Sequence, residues 1–215
     1  MRSTAVQIPP RAYYESLRRA CDRHGARLIL NEIPIGLGRT GTIYAFEHYG
    51  IVPDIVVLGK GLGGGVFPMA ALVAREGLDV AADRALGHYT HEKSSVGCAA
   101  GLATLAVIAD EHLLERARAL GAHALARLRA MQDRLPVVGD VRGIGLLLGV
   151  ELVDPGSGAP ARDVAERVLY HCLGAGLSFK VGQGNVLVLA PPLTIDVADL
   201  DRALDIVEAA IAAGA

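Results

Sequence analysis

Residues 44–65 read YAFEHYGIVPDIVVLGKGLGGG, and this stretch decides the fold. Pro53-Asp54 is a turn signal, and Ile55-Val56-Val57-Leu58 after it is apolar at every position. A short β-branched run bounded by breakers reads as a strand buried on both faces, in a sheet covered by helices on each side. Gly59-Lys60-Gly61-Leu62-Gly63-Gly64-Gly65 follows at once. Lys60 therefore leaves the C-terminal end of a strand and enters a loop almost without side chains. Ligand sites of open α/β sheets gather at such strand ends, and glycine lets backbone and ligand approach closely. Lysine is scarce, occurring only at 60, 93 and 180. An amine partly desolvated at this place has a lowered pKa, which suits imine formation. The residues alone leave two readings open: that amine, or a solvated lysine in a loop.

Working outward, Leu28-Ile29-Leu30 reads as a second buried strand and Ala70-Ala71-Leu72-Val73-Ala74 as a third. Ahead of them, Pro9-Pro10 opens a helix with Tyr14, Leu17 and Cys21 at helical spacing and Gly25 as its stop. A second glycine loop, Gly36-Leu37-Gly38-Arg39-Thr40-Gly41, lies between the first two strands. Beyond the third strand, 96–110 reads as a helix and 111–134 as a longer helical stretch. Residues 137–145 lead into a strand over 146–152, and Asp154-Pro155-Gly156-Ser157-Gly158 is a turn. A helix over 161–173, short strands near 177–179 and 186–189, and a last helix from Val197 with Asp196 as N-cap complete the chain. The fold class is α/β, and the helix–strand–strand–helix order at the end suggests a small α+β domain. The division falls near residue 115, giving 1–115 and 116–215.

The 215 residues are 52% hydrophobic with a net charge of −2. That is ample material for a core. There is no basic excess of the kind that marks nucleic-acid or membrane-surface binders. No apolar run approaches the ~20 residues that span a bilayer, and Met1-Arg2-Ser3-Thr4 lacks the apolar core of a signal peptide. Cys21, Cys98 and Cys172 are far apart and odd in number. They form neither a metal pattern nor a disulfide framework, and the expected setting is cytoplasmic. The remaining histidines show no ligand spacing, so no metal site is expected. Neither glycine loop has P-loop or dinucleotide spacing.

Four blocks resemble one known family in order and spacing. LILNEIPIGLGRTG (28–41) is similar to the segment usually written DEVQTGFGRTG in class III aminotransferases. YAFEHYGIVPDIVVLGKGLGGG resembles that family's run from FEHYGVVPDI to AKGLGGG. HYTHEKSSVGCAAGLATLAVI (88–108) occupies the place of its HxSTxGGNPLACAAA segment, and Ala190-Pro191-Pro192-Leu193 resembles its closing APPL. The resemblance covers essentially the whole chain. It implies a pyridoxal 5′-phosphate (PLP) enzyme of fold type I, with a mostly parallel sheet in a large domain and a small C-terminal domain. Lys60 is then the Schiff-base lysine and the acid–base that moves the substrate proton. Ile33 matches the apolar residue on the face of the pyridine ring. Thr90 falls where a threonine binds the PLP phosphate of the neighbouring subunit, so a homodimer is implied for the full-length form. Family members are about twice as long, so the sequence is expected to be a fragment, lacking the main phosphate cup.

Three positions depart from the family pattern. Asn31 stands where an aspartate pairs with the pyridine nitrogen, and it carries no charge. Pro34 replaces a glutamine that contacts the phenolic oxygen. Val188 stands where many members have an arginine that grips the substrate α-carboxylate, a bidentate task valine cannot do. The His91-Glu92-Lys93 insert, together with Glu32-Ile33-Pro34-Ile35 and Leu177-Ser178-Phe179-Lys180, resembles a subgroup that includes hydroxy-aminoethylphosphonate lyases, in which Lys93 or Lys180 could hold an anionic group. The expected function is amino-group transfer between a small amine or amino acid and a keto acid. The alternatives are a PLP lyase on an amine lacking an α-carboxylate, or an inactive truncated relative.

Overall fold

Ile55–Leu58 is a strand, β2, and the middle one of three. In this computed structural model, which describes residues 5–81, 83–84, 87 and 94–214, the chain divides into two compact units. Pro9–Gly38 and Thr42–Leu113 form a glycine-loop unit; Met1–Ile8, Arg39–Gly41 and Leu114–Ala215 form a leucine-core unit. Among the described residues no single helix is long and apolar enough to cross a membrane.

The glycine-loop unit begins with helix α1, Arg11–His24, which starts after Pro10 and ends at Gly25 with φ 64°. A left-handed C-cap of this kind favours glycine because it lacks a Cβ. Tyr14 is buried and its ring lies 4.3 Å from that of Tyr49. Strand β1, Ile29–Asn31, runs parallel to β2 with Ile29 opposite Ile55 and Asn31 opposite Val57. Strand β3, Ala71–Ala74, is antiparallel to β2. The described sheet is thus half parallel, not mostly so. A parallel pair needs a long crossover, which residues 32–54 supply, whereas a glycine loop suffices for an antiparallel return.

The unit is tied at Asp54, the residue that opens β2. Its buried carboxylate accepts the Leu28 backbone N–H (2.8 Å) and the Arg18 guanidinium (2.7 Å), and Arg75 lies 3.5 Å away. These hydrogen bonds, the Leu28 N–H first, hold the Asp54 carboxyl below the usual carboxylate range. One side chain therefore pins α1, the start of β1 and the end of β3. The expectation of a sheet covered on both faces fails here. Val56 and Leu58 are buried, but Ile29, Leu72 and Val73 are 55%, 63% and 49% exposed. Three short strands and the helices α1 and α2 (Ser95–Asp110) leave much of the flanking strands uncovered.

The two expected helical stretches are α2, ending at Asp110, and α3, Leu113–Gln132, with His112 between them at φ 51°. The leucine-core unit then builds one antiparallel sheet in the order β4-β5-β7-β6, with β4 at Val138–Ile144, β5 at Leu147–Leu152, β6 at Lys180–Gly182 and β7 at Val186–Leu189. Helices α3, α4 (Arg162–Gly174) and α5 (Val197–Gly214) supply its apolar partners. Leu128, Leu148, Leu152, Leu187, Leu204 and Ile211 are all essentially solvent-free. The Asp196 carboxylate accepts the Asp199 N–H (2.7 Å), capping α5 as expected.

Two expectations are corrected in this unit. Val138–Ile144 is a strand, not a lead-in; Gly139 and Gly143 interrupt the alternation that would announce it, and the register shifts between Val138 and Asp140. The strand expected at 177–179 lies at 180–182. The turn through Gln183 and Gly184, both at positive φ, sets Gly182 opposite Val186 and so fixes where the hairpin begins.

The second glycine loop has a packing role. The Arg39 guanidinium donates to the Leu146 (3.3 Å) and Pro191 carbonyls, Arg118 donates to the Gly41 carbonyl, and the Leu146 N–H donates to the Arg39 carbonyl (3.0 Å). Gly145 (φ 55°) comes so close that a Cβ on it would sit 2.6 Å from the Thr40 carbonyl carbon. A Cβ on Gly121 would sit 2.2 Å from the Gly145 oxygen. These glycines let three segments touch by their backbones.

Candidate active site

Parallel pairing of β1 and β2 puts their C-terminal ends side by side. The Glu32 N–H donates to the Val57 carbonyl (2.9 Å), extending the ladder one residue beyond Asn31. The Ile33 side chain packs against Gly59: a Cβ there would lie 3.5 Å from both of its γ-carbons. Lys60 comes next and begins a 3-10 turn, Lys60–Gly63, with φ 48°. A lysine at positive φ is uncommon and locally strained, a feature found disproportionately at functional sites. It is one of five described non-glycine residues in that state. So Asn31, Ile33 and Lys60 are gathered at one end of two neighbouring strands.

Lys60 is exposed, and its ammonium has no hydrogen bond or ion pair among the described residues. The expectation of a partly desolvated lysine is therefore not met in this chain, because the glycines around it carry no side chains to cover it. Asn31 is also exposed, while Ile33 and Pro34 are half-buried. The Asn31 Oδ1 accepts the Ile33 backbone N–H at 3.0 Å, and its Nδ2 has no partner among the described residues.

Glu32 is a positioning residue that the sequence reading missed. It is 3% exposed, and its carboxylate accepts the Ala45 (3.0 Å) and Phe46 (3.1 Å) N–H groups. These amides open the 3-10 helix Ala45–Tyr49, so Glu32 ties the far end of the 33–44 loop back to β1. Burial pushes its carboxyl up, and the two N–H bonds oppose that push. A carboxylate directly after an apolar strand was the available signal.

Thr90 and Lys93 lie outside the described residues. Val188 is buried in β7 of the leucine-core unit, where the register sets Lys180 and Gly149 opposite it on either side. Lys180 is exposed.

The model of the aminotransferase class-III family matches residues 4–211. This chain belongs to that family. Among its curated relatives it is 50% identical to the (R)-1-hydroxy-2-aminoethylphosphonate ammonia-lyase of Vibrio splendidus, over 99% of this chain and 44% of that protein. It is 42% identical to the leucine/methionine racemase of Thermococcus litoralis, over 95% and 46%. It is 39% identical to the 5-aminovalerate aminotransferase of Pseudomonas putida, over 93% and 47%. The chain thus spans a little under half the length of these relatives. Among solved structures it superposes on a transaminase from the marine bacterium Virgibacillus with a TM-score of 0.93 and 28% identity, covering 99% of this chain and 51% of that one. It matches an amine transaminase from an uncultivated Pseudomonas species in its PLP-bound form with a TM-score of 0.91 and 32% identity, over 99% and 50%.

Class III aminotransferases are PLP-dependent, and the residues gathered here fit that cofactor. Among the described residues the Lys60 amine and the Asn31 N–H₂ have no partner, and Ile33 packs on Gly59, which carries no Cβ. PLP supplies an electron sink when bound; orientation is the protein's part.

Proposed function

We propose that Lys60 holds PLP in an enzyme that moves an amino group between a small amine or amino acid and a keto acid. The observation that supports this is the grouping of Asn31, Ile33 and Lys60 at the C-terminal ends of β1 and β2. In this reading Lys60 anchors the cofactor and moves the substrate proton, Ile33 lies on the ring face and Asn31 meets the ring nitrogen. Thr90 would donate to the phosphate of a neighbouring subunit in a homodimer. Residues 1–115 would belong to the fold-type I large domain and 116–215 to a small C-terminal domain, in a cytoplasmic protein. Borohydride reduction in the presence of PLP should attach the cofactor to Lys60. Peptide mapping that finds it on Lys93 or Lys180 instead would sink the assignment.

A second reading, an ammonia-lyase acting on an amine without an α-carboxylate, is favoured by β7. Val188 supplies no cation, and Lys180 stands directly opposite it. Directly opposed residues of an antiparallel pair share a face, and a lysine ammonium is a point charge suited to a phosphonate. Ammonia release without an amino acceptor would favour the lyase. Oxo-acid-dependent cycling through pyridoxamine phosphate would favour the transaminase.

A further inference from the structure

Asn31 ends β1 with an amide whose two ends are not equivalent. The Ile33 backbone N–H can be met only by an acceptor, so the atom 3.0 Å away is Oδ1 and the amide cannot be turned round without setting donor against donor. The N–H₂ group is the end left over, without a partner among the described residues and on an exposed residue. A carboxylate at this position would present only acceptors. This amide presents a donor to whatever approaches from the side away from Ile33. Ile33 packs on Gly59 at the same strand ends, and Lys60 follows Gly59 directly.

We infer that Asn31 donates a hydrogen bond to the unprotonated ring nitrogen of PLP and so holds the bound pyridine in its neutral form. The inference rests on the reading of Lys60 as the cofactor lysine. A donor pairs with the lone pair of a neutral pyridine and is repelled by the N–H of a pyridinium; an aspartate has the opposite preference. A neutral ring withdraws electrons less strongly.

The test uses PLP labelled with ¹⁵N in the ring, loaded into the full-length protein that the gene encodes. The expected ¹⁵N resonance lies at the downfield position of neutral pyridine, without one-bond coupling to a proton. Asn31→Asp should move it upfield to the pyridinium position, and Asn31→Ala should not. A pyridinium resonance in the unaltered protein overturns the inference, and that spectrum decides even if neither variant folds. A resonance that Asn31→Asp leaves unmoved also overturns it, because residue 31 then does not face the nitrogen. Borohydride mapping of the same sample separates the two levels. Cofactor on Lys60 with a protonated ring removes the role of Asn31 alone; cofactor elsewhere removes the site with it.

Discussion

In the leucine-core unit Leu128, Leu148 and Ile211 are closed to solvent, whereas in the glycine-loop unit Ile29, Leu72 and Leu102 are 55%, 63% and 70% exposed. The first unit closes a core of helices packed on an antiparallel sheet, with Tyr170, Leu173 and Val197 left outside it. The second is tied by polar bonds to Asp54 and Glu32 and leaves apolar surface open, with Lys60 exposed and without a partner among the described residues. Complete packing makes a unit sensitive to volume and insensitive to function. Incomplete packing leaves side chains that contribute little to stability and are available to a ligand.

The sharpest way to break this comparison is Lys60→Ala. Covalent PLP attachment should be lost entirely, read by absorbance and by borohydride mapping. Because Lys60 is exposed and has no partner among the described residues, unfolding free energy should change by no more than about 0.5 kcal/mol. A variant that unfolds would make Lys60 a structural residue and collapse the contrast.

A matched pair of truncations measures the contrast directly. Leu128→Ala, in a site closed to solvent, should cost ~2–5 kcal/mol in urea unfolding. Leu72→Ala, on the open strand β3, should cost about 0.5 kcal/mol or less. Equal losses would mean that the exposed face of β3 is covered in solution.

A pH-dependent effect is expected in the glycine-loop unit at Asp54. The folded pKa of Asp54 is depressed, so its stabilisation is present above the ordinary carboxylate range and is lost as pH falls through the folded value. Amide exchange at Leu28–Asn31 should therefore accelerate below that range. Asp54→Asn should show fast exchange already at neutral pH and little further change on acidification. Unaltered exchange in the variant would show that Asp54 does not tie β1 to β2.

The smallest effect is expected on the outside of the leucine-core unit. Arg202 and Asp199 form an ion pair at 2.7 Å with side chains 75% and 53% exposed. Arg202→Ala should change unfolding free energy by no more than about 0.5 kcal/mol, an amount that salt should erase. A larger loss would mean that the stability of this unit does not reside in its buried leucines alone.

Much of this architecture is written locally in the sequence. Pro10 and Gly25 bound α1, the apolar run 55–58 is β2, Asp196 caps α5, and Lys60 follows a strand end into glycines. Each is a signal carried by neighbours along the chain, where spacing and backbone preference act within a few residues. Only the tertiary structure decided that 138–144 pairs as a strand, that β6 begins at Lys180, that Gly145 lies against the backbone of residues 39–41 and that Gly121 lies against Gly145. It also decided that Lys60 stands uncovered and that the Asn31 oxygen is taken by Ile33, leaving a donor where a carboxylate would have left an acceptor. Those outcomes depend on distances between groups far apart in sequence, or on which way one short side chain turns, and residue order does not encode either until the chain has packed.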